Sequence, residues 1–206
     1  MSKNSAITDE EFLEICNSGT DEEIEESLKN GADPDARDEY GWTALFWIDS
    51  PDSAEILLRY GADVNARDND GNTPLHFASA DMAEKLLDHD ADVSIKNNFN
   101  MTALDRAIYL GYNNIVEILA TKTALNERDE NGMTILHGVQ DANIVYTLVL
   151  LGADVHAKDN NGDTPLDIAL RKGWSDVADV LRSHGGKSKS SYSNDALSEL
   201  FNEIFR

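Results

Sequence analysis

The sequence predicts an all-α solenoid of stacked helix-turn-helix units with hairpin fingers. A short pattern recurs five times, a Gly-Ala-Asp type of turn recurs between the copies, and apolar residues follow helical spacing after each copy. The threonines of the five copies are spaced by 30, 29, 32 and 30 residues: Thr43, Thr73, Thr102, Thr134 and Thr164. A period near 30 residues is typical of solenoids, in which each small unit packs on its neighbours.

The composition indicates a folded and strongly acidic protein. Its 206 residues include 17 basic and 39 acidic side chains, a net charge of −22, with 41% hydrophobic residues. Such a field repels phosphates and anionic lipids, so we expect no nucleic-acid partner but a basic protein partner. No apolar run approaches the roughly 20 residues of a membrane helix, so we expect no membrane insertion. A single cysteine, Cys16, permits no internal disulfide, and residues 1–12 have no apolar stretch typical of a signal peptide. We therefore expect a cytoplasmic protein.

The first predicted element is a helix pair within residues 1–37 that caps the N-terminal end of the stack. Thr8 with Glu11, and Thr20 with Glu23, have the spacing of a capping box, in which the two side chains satisfy free N–H groups at a helix start. Each box predicts the beginning of one helix of the pair.

Five repeats are predicted over residues 38–185. In most copies Asp-x-x-Gly precedes the threonine and predicts a tight turn at a finger. The threonine then predicts the N-cap of a first helix, most clearly where Pro follows it, at Thr73 and Thr164. A second helix should end at Gly-Ala-Asp, where glycine adopts the left-handed conformation.

These motifs resemble the ankyrin repeat over roughly residues 8–185. The residues that carry the resemblance are TPLHFA at 73–78 and TPLDIA at 164–169, each preceded by Asp-x-x-Gly. The third copy departs from the pattern, since Asn100 replaces Gly and Ala103 replaces Pro. The resemblance implies a protein-binding function, and it implies that His76 and His137 join neighbouring repeats through hydrogen bonds.

Three of the repeats are shorter than the others. From the threonine to the Gly-Ala-Asp type of turn there are 21 residues in the third and fifth repeats, 18 in the first and fourth, and 17 in the second. The missing residues fall where the first helix meets the second, so truncated first helices are predicted. Such compact repeats resemble those of some bacterial and viral ankyrin proteins.

The sequence predicts no enzyme: no catalytic residue, no cofactor and no metal site. Cys16 lies on an expected inner helix face with no histidine placed beside it. The Gly-Lys-Ser sequence at 186–188 lacks the leading glycine of a phosphate-binding loop. The sequences at 68–71 and 159–162 lack the alternating aspartates of a calcium loop, so we expect turns there.

Partner-binding residues follow from the resemblance, which implies docking on the finger tips and on the concave face of the first helices. The candidates are Tyr40, Trp42, Trp47, Asn69, Asn72, Phe77, Phe99, Met101 and Met133. Trp42, with Phe46, Trp47 and Phe77 nearby, could form an aromatic anchor of the kind that dominates interface energies. The alternative is that Phe46 and Trp47 fill the space left by the shortened first helix.

The C-terminal region is predicted to be a flexible linker at 186–194 followed by an amphipathic helix at 195–206. That helix either packs on the last repeat or serves as a partner-binding arm. The resulting functional hypothesis is a non-enzymatic module, monomeric apart from its partner, which masks or inhibits a basic protein. The alternative is an adaptor or secreted effector that recruits a host protein through the repeats and the C-terminal helix.

Overall fold

The computed structural model describes residues 7–189, and no β-strand occurs among them, which confirms the all-α class. The α-helices within this range are α1 (Asp9–Ser18), α2 (Asp21–Lys29), α3 (Pro51–Arg59), α4 (Ala80–Asp88), α5 (Ala103–Leu110), α6 (Asn113–Ala120), α7 (Ala142–Leu150), α8 (Pro165–Lys172) and α9 (Ser175–Ser183). Three 3₁₀ turns complete the helical elements: Ala44–Phe46, Pro74–His76 and Ile135–His137. The predicted helix at 195–206 lies outside the described residues.

The chain divides into two compact units, residues 1–119 and residues 120–206. In the first unit the largest fully buried side chains are Phe12, Ile24, Leu45, Leu57, Leu75, Leu86, Leu104 and Leu119. In the second they are Leu136, Ile144, Leu148 and Leu166. Burying one such side chain stabilises the fold by about 1.5–3 kcal/mol, so each unit has an apolar core of its own.

Both predicted N-terminal capping boxes are present. Thr8 Oγ1 accepts the N–H of Glu11 at 3.3 Å, and Glu11 Oε2 accepts the N–H of Thr8 at 2.9 Å. Thr20 and Glu23 repeat this arrangement at the start of α2, with the same two distances. Helices α1 and α2 therefore begin at the residues that the two capping boxes predict.

The shortened repeats contain a single 3₁₀ turn where the full-length repeats contain α5 and α8. With three or four residues missing, the chain has no length for a second helical turn before the next helix begins. The predicted truncation of the first helices is confirmed.

The role of the repeated threonine depends on the residue three positions later. Thr102 caps α5 as predicted, since its hydroxyl accepts the N–H of Asp105 at 3.1 Å and the Asp105 carboxylate accepts the Thr102 N–H at 2.9 Å. Where histidine takes that position, the threonine bonds the imidazole instead: the N–H of Thr73 donates to Nδ1 of His76 at 3.1 Å. Thr73 and Thr134 still occupy the N-cap positions of their 3₁₀ turns, with a histidine side chain in place of the carboxylate as the acceptor of the threonine N–H.

Residues 186–189, expected to begin a flexible linker, pack on the last repeat. Thr164 Oγ1 donates to the carbonyl of Lys187 at 3.0 Å, and the N–H of Lys189 donates to Asp167 Oδ1 at 2.9 Å. The linker expectation is corrected for these four residues, because the Thr164 hydroxyl and the Asp167 carboxylate form hydrogen bonds with this stretch of backbone. The rest of the expected linker, 190–194, lies outside the described residues.

Candidate protein-binding site

Each finger is built around one side-chain oxygen at its first position. Asp38 Oδ1 accepts the backbone N–H groups of Tyr40 and Trp42, both at 2.9 Å. The same two bonds, between 2.7 and 3.0 Å, are made in the other fingers by Asp68, Asn97, Asp129 and Asp159. Two residues project beyond this turn in every finger and form its tip.

The fourth residue of each finger has a positive φ angle. Gly41 has φ 78°, and Asn100, which replaces glycine in the third finger, has φ 61°. A Cβ on Gly41 would lie 2.7 Å from Asn69 Oδ1 of the next finger, so glycine is required there by backbone conformation and by space. Asparagine is among the few other residues that adopt this conformation readily.

The residue at the second position of a finger joins that finger to the preceding one through two hydrogen bonds. Asn69 donates its backbone N–H to the Tyr40 carbonyl and its side-chain Nδ2 to the Glu39 carbonyl, each at 3.0 Å. Asn98 and Asn160 make the same pair of bonds to the fingers that precede them. Asn69, a predicted partner-binding residue, is exposed but its amide group already holds two fingers together.

The structure separates the predicted tip residues into two groups, one at the finger tips and one behind them. Tyr40 and Phe99 lie at the tips, where their side chains are 63% and 68% exposed. Trp42, Met101 and Met133 come directly after the turn and are half-buried. Residues of both groups donate their N–H to the first finger position, so the difference in exposure follows from their place in the turn: the third finger position lies at the tip and the fifth lies behind it.

Asn72, expected at a tip, is buried, with 7% of its surface exposed. Its Nδ2 donates to Asp68 Oδ2 at 3.0 Å, and its Oδ1 accepts from Asn97 Nδ2 at 2.7 Å. The expectation is corrected: this amide connects the second finger to the third and has no free group to offer a partner.

The aromatic residues around Trp42 pack against one another. The Trp42 ring is stacked on Phe46 with centroids 5.7 Å apart, and it lies 6.2 Å from Trp47 and 5.3 Å from Phe77. Phe46 is buried, as the space-filling alternative predicted, while the other three rings are half-buried. Trp42, Trp47 and Phe77 therefore offer only part of their surface to a partner.

Arg106 extends this cluster, and sequence reasoning missed it. Its guanidinium lies 4.4 Å from the Phe77 ring centroid, and its Nη1 donates to the His76 carbonyl at 2.7 Å. The sequence did contain a signal for this contact, because Trp47, Phe77 and Arg106 each lie four residues after the repeated threonine. Side chains at one register position in neighbouring repeats come together in the stack.

The two histidines of the motif join neighbouring repeats, as the resemblance implied. Nδ1 of His76 accepts a backbone N–H, so Nε2 carries the proton and donates to the Met101 carbonyl at 3.1 Å. His137 makes the equivalent bond to the Asp163 carbonyl at 3.1 Å. Burial lowers the pKa of His76 below its ordinary range, so the imidazole is neutral at pH 7.

Cys16 is buried in the N-terminal helix pair. Burial raises the pKa of its thiol to about 12, so the thiol stays protonated at neutral pH. Among residues 7–189, no group of three or more His, Cys, Asp and Glu side chains is arranged to hold a metal ion. The helices in this range are all too short or too polar to cross a membrane.

The negative charge is concentrated in the first unit. Residues 1–119 contain 26 acidic and 8 basic side chains, a net charge of −18, whereas residues 120–206 contain 13 and 9, a net charge of −4. Six basic side chains of the first unit bond to groups of the protein itself: Lys29, Arg37, Arg59, Arg67, Lys85 and Arg106. Most carboxylates of this unit are exposed and have no cation beside them.

The structure consists of repeated helical units whose fingers are joined by hydrogen bonds. This architecture is that of a repeat solenoid, a class of protein that binds other proteins. The chain belongs to the ankyrin repeat family: the model of three consecutive ankyrin repeats matches residues 12–97, 48–129 and 78–159. Ankyrin repeats are protein–protein interaction modules. The predicted resemblance is confirmed.

Curated relatives match part of the chain. The mouse protein phosphatase 1 regulatory subunit 27 is 36% identical over 93 residues, which is 43% of this chain and 60% of the relative. Two putative ankyrin repeat proteins of Rickettsia felis are 42% identical over 40 residues, which is 19% of this chain and 64% and 61% of their lengths. The chain thus spans less than two thirds of the length of these relatives.

Solved structures match most of the chain. An ankyrin repeat domain from Acinetobacter baumannii has a TM-score of 0.69 at 29% identity, covering 85% of this chain and 98% of that domain. The ankyrin repeat domain of Bcl-3, a member of the IkappaB family, has a TM-score of 0.70 at 27% identity, covering 84% and 81%. Both comparisons agree with the solenoid fold.

Proposed function

We propose that this chain binds a protein with a basic surface through its finger tips and masks that surface. The observation that supports the proposal is the coincidence of two exposed aromatic tips, Tyr40 and Phe99, with the unit that has a net charge of −18. Within the same unit, the half-buried side chains of Trp42, Trp47, Phe77 and Met101 extend the contact surface behind the tips. Met133 has the equivalent finger position in the second unit.

The proposed mechanism combines electrostatic steering of the partner with contact by a rigid set of finger tips. A field of this sign speeds the association of a cationic protein by about 10- to 1,000-fold at low salt. Tyrosine and phenylalanine at an interface centre contribute about 2 kcal/mol or more each. The side-chain oxygens that close the finger turns hold the tips in place before binding, which reduces the entropy lost on association.

The relatives support a regulatory role without catalysis. The mouse relative is named as a regulatory subunit of a phosphatase, and Bcl-3 as a member of the IkappaB family. By analogy, this chain inhibits by occupying a surface of its partner. It acts in the cytoplasm and as a monomer before it meets that partner, since two copies with a charge of −22 repel each other. The adaptor alternative depends on residues 195–206, which lie outside the described range.

A capture experiment tests this function. The wild-type chain and a Tyr40→Ser/Phe99→Ser variant serve as baits in one cell extract at about 0.1 M salt, and bound proteins are quantified by mass spectrometry. We expect wild type to enrich proteins with basic surfaces and the tip variant to lose them. Leu150→Ser, an exposed site in the second unit, is the matched control.

The purified partner then provides the decisive measurement. Its association rate should fall steeply between roughly 0.05 and 0.5 M salt while its dissociation rate changes little. Captured proteins without a basic surface, or a salt-independent association rate, would contradict the proposal.

A further inference from the structure

The fifth finger, residues 159–163, is the last finger in the described part of the chain, and a lysine side chain is bound to it. In the fourth finger the carbonyl of the third position, that of Asn131, accepts the backbone N–H of Asn160 from the next finger at 2.8 Å. In the fifth finger the equivalent carbonyl, that of Asn161, accepts from Nζ of Lys189 at 2.7 Å. The lysine therefore takes the place that a following finger takes elsewhere.

The side chain at the fifth finger position bonds the same lysine. In the second finger this position is Asn72, whose Oδ1 accepts from Asn97 of the third finger. In the fifth finger it is Asp163, which is 8% exposed and whose Oδ1 lies 2.7 Å from Nζ of Lys189. One ammonium group thus satisfies a carbonyl and a carboxylate, which are acceptors of the kind that the next finger satisfies elsewhere.

The backbone of this segment is held by an aspartate at the position of the motif histidine. Asp167 corresponds in register to His137, whose Nε2 bonds the carbonyl of a residue in the next finger. An ionised carboxylate can only accept, so Asp167 binds a backbone N–H, that of Lys189, at 2.9 Å. The fifth repeat is therefore built to end at a lysine.

The geometry of the finger favours lysine over arginine. Nη1 of Arg171 lies 2.7 Å from Asp163 Oδ2, so only Oδ1 remains for a second cation. A guanidinium binds a carboxylate best through two parallel bonds, whereas an ammonium is compact and needs only one oxygen from each acceptor. The lysine stem passes over Gly162, since Cε of Lys189 lies 3.6 Å from the position that a Cβ on this glycine would have.

The bound lysine is open to exchange, whereas its acceptor is not exposed. The Lys189 side chain is 49% exposed and that of Asp163 is 11% exposed. The hydrogen bonds from Lys189 and Arg171 hold the pKa of Asp163 below its ordinary range, so this carboxylate is ionised at neutral pH. With Asp159 and Asp167, three carboxylates face these two cations, so withdrawal of Lys189 would leave two uncompensated negative charges. Such a site attracts another cation.

We infer that the end of the finger row, formed by the Asn161 carbonyl, Gly162 and Asp163, is a lysine-binding site, which Lys189 occupies within the chain and which a lysine of the partner enters by displacing it. A basic partner is the source of that lysine, so this site rests on the proposed function. Lys189 acts as an internal competitor: a protein that contacts the finger tips but places no lysine at the last finger leaves it in position.

A lysine peptide tests the site in the absence of the partner. The full chain, as wild type and as Lys189→Met, is titrated with pentalysine while the amide signals of residues 161–163 are followed by NMR. Methionine keeps the length of the stem without the charge, and the Gly162 N–H belongs to the same peptide group as the Asn161 carbonyl. We expect Lys189→Met to bind pentalysine about 3-fold more tightly at these amides, because an exposed ion pair no longer competes. Pentaarginine should bind there more weakly than pentalysine.

Two further variants separate this site from the general negative charge of the chain. Lys187→Met is the matched control, because it removes the same charge two residues away and leaves the pairs of Asp163 with Lys189 and Arg171 in place. It should bind pentalysine at residues 161–163 as wild type does. Adding Asp163→Asn to Lys189→Met should remove the gain. Unchanged amide signals in the rest of the chain confirm that each variant is folded.

Equal pentalysine affinity of wild type and Lys189→Met at these amides would overturn the inference. An equal gain in Lys187→Met would also overturn it, because the effect would then come from net charge. Pentaarginine binding as tightly as pentalysine would overturn the preference for lysine. These titrations do not involve Tyr40 or Phe99, so the capture experiment on the finger tips succeeds or fails independently of them.

Discussion

Trp42 donates its indole N–H to Asp68 Oδ2 at 3.1 Å, and this bond connects the first finger to the second. Asp68 also accepts from Asn72, which in turn accepts from Asn97 of the third finger. A line of hydrogen bonds thus runs through three consecutive repeats. Asp68, Asn72 and Asn97 are buried, so these bonds are shielded from water.

Replacing Trp42 by phenylalanine should destabilise the first unit. The substitution keeps an aromatic ring against Phe46 and Phe77 but removes the donor to the Asp68 carboxylate. Losing a bond to a buried charged group costs about 1.5–3 kcal/mol. Urea unfolding measures this change, with exposed Tyr40→Phe as the control. Unchanged stability would show that the bond contributes nothing and would leave Trp42 available for a partner.

Stability should fall as the pH drops below about 6.5, in part because of His76. Burial lowers its folded-state pKa, with a smaller contribution from the nearby Arg106 charge, so the unfolded chain takes up the proton first. The contribution of this histidine is therefore complete above pH 6.5 and decreases between that value and the lower folded-state pKa. An NMR titration should show the imidazole of His76 taking up its proton at a lower pH than an exposed histidine does. Protonation of His76 at its ordinary pKa would contradict this assignment.

The substitution Asp35→Asn should stabilise the protein at pH 7. Asp35 Oδ1 accepts the N–H of Asp63 at 2.8 Å, and the equivalent oxygen in two other repeats belongs to Asn65 and Asn126. Burial raises the pKa of Asp35, and the Asp63 and Asp33 carboxylates raise it further. Asparagine retains the acceptor without the charge, so the melting temperature should rise by about 1–3 °C.

The pH dependence of that gain provides the check. A raised folded-state pKa means that wild type recovers stability as Asp35 is protonated, so the advantage of asparagine should shrink as the pH falls toward 4. A gain that is the same at pH 7 and pH 4 would show that its origin is not the charge.

The fourth finger position should tolerate glycine but not alanine. Asn100→Gly should change stability by less than about 0.5 kcal/mol, because both residues adopt the positive φ found there. Gly41→Ala should cost about 2 kcal/mol or more, because it combines backbone strain with a Cβ placed 2.7 Å from Asn69 Oδ1. Thermal melts of both variants measure the difference, and equal effects would contradict the steric argument.

Much of the fold was predictable because its signals are local. The period of the repeat, the capping boxes at Thr8 and Thr20, and the shortened first helices each follow from residues within a few positions of one another. The family resemblance added the role of His76 and His137, which the structure confirms.

The sequence by itself determined the class of fold, the acidic character and the exposed tips at Tyr40 and Phe99. Only the tertiary structure decided that Asn72 is buried, that Arg106 covers Phe77 and that residues 186–189 pack on the last repeat. The physical reason is distance along the chain. These contacts join groups 22 to 30 residues apart, so they depend on how neighbouring repeats stack and not on the conformation of one segment.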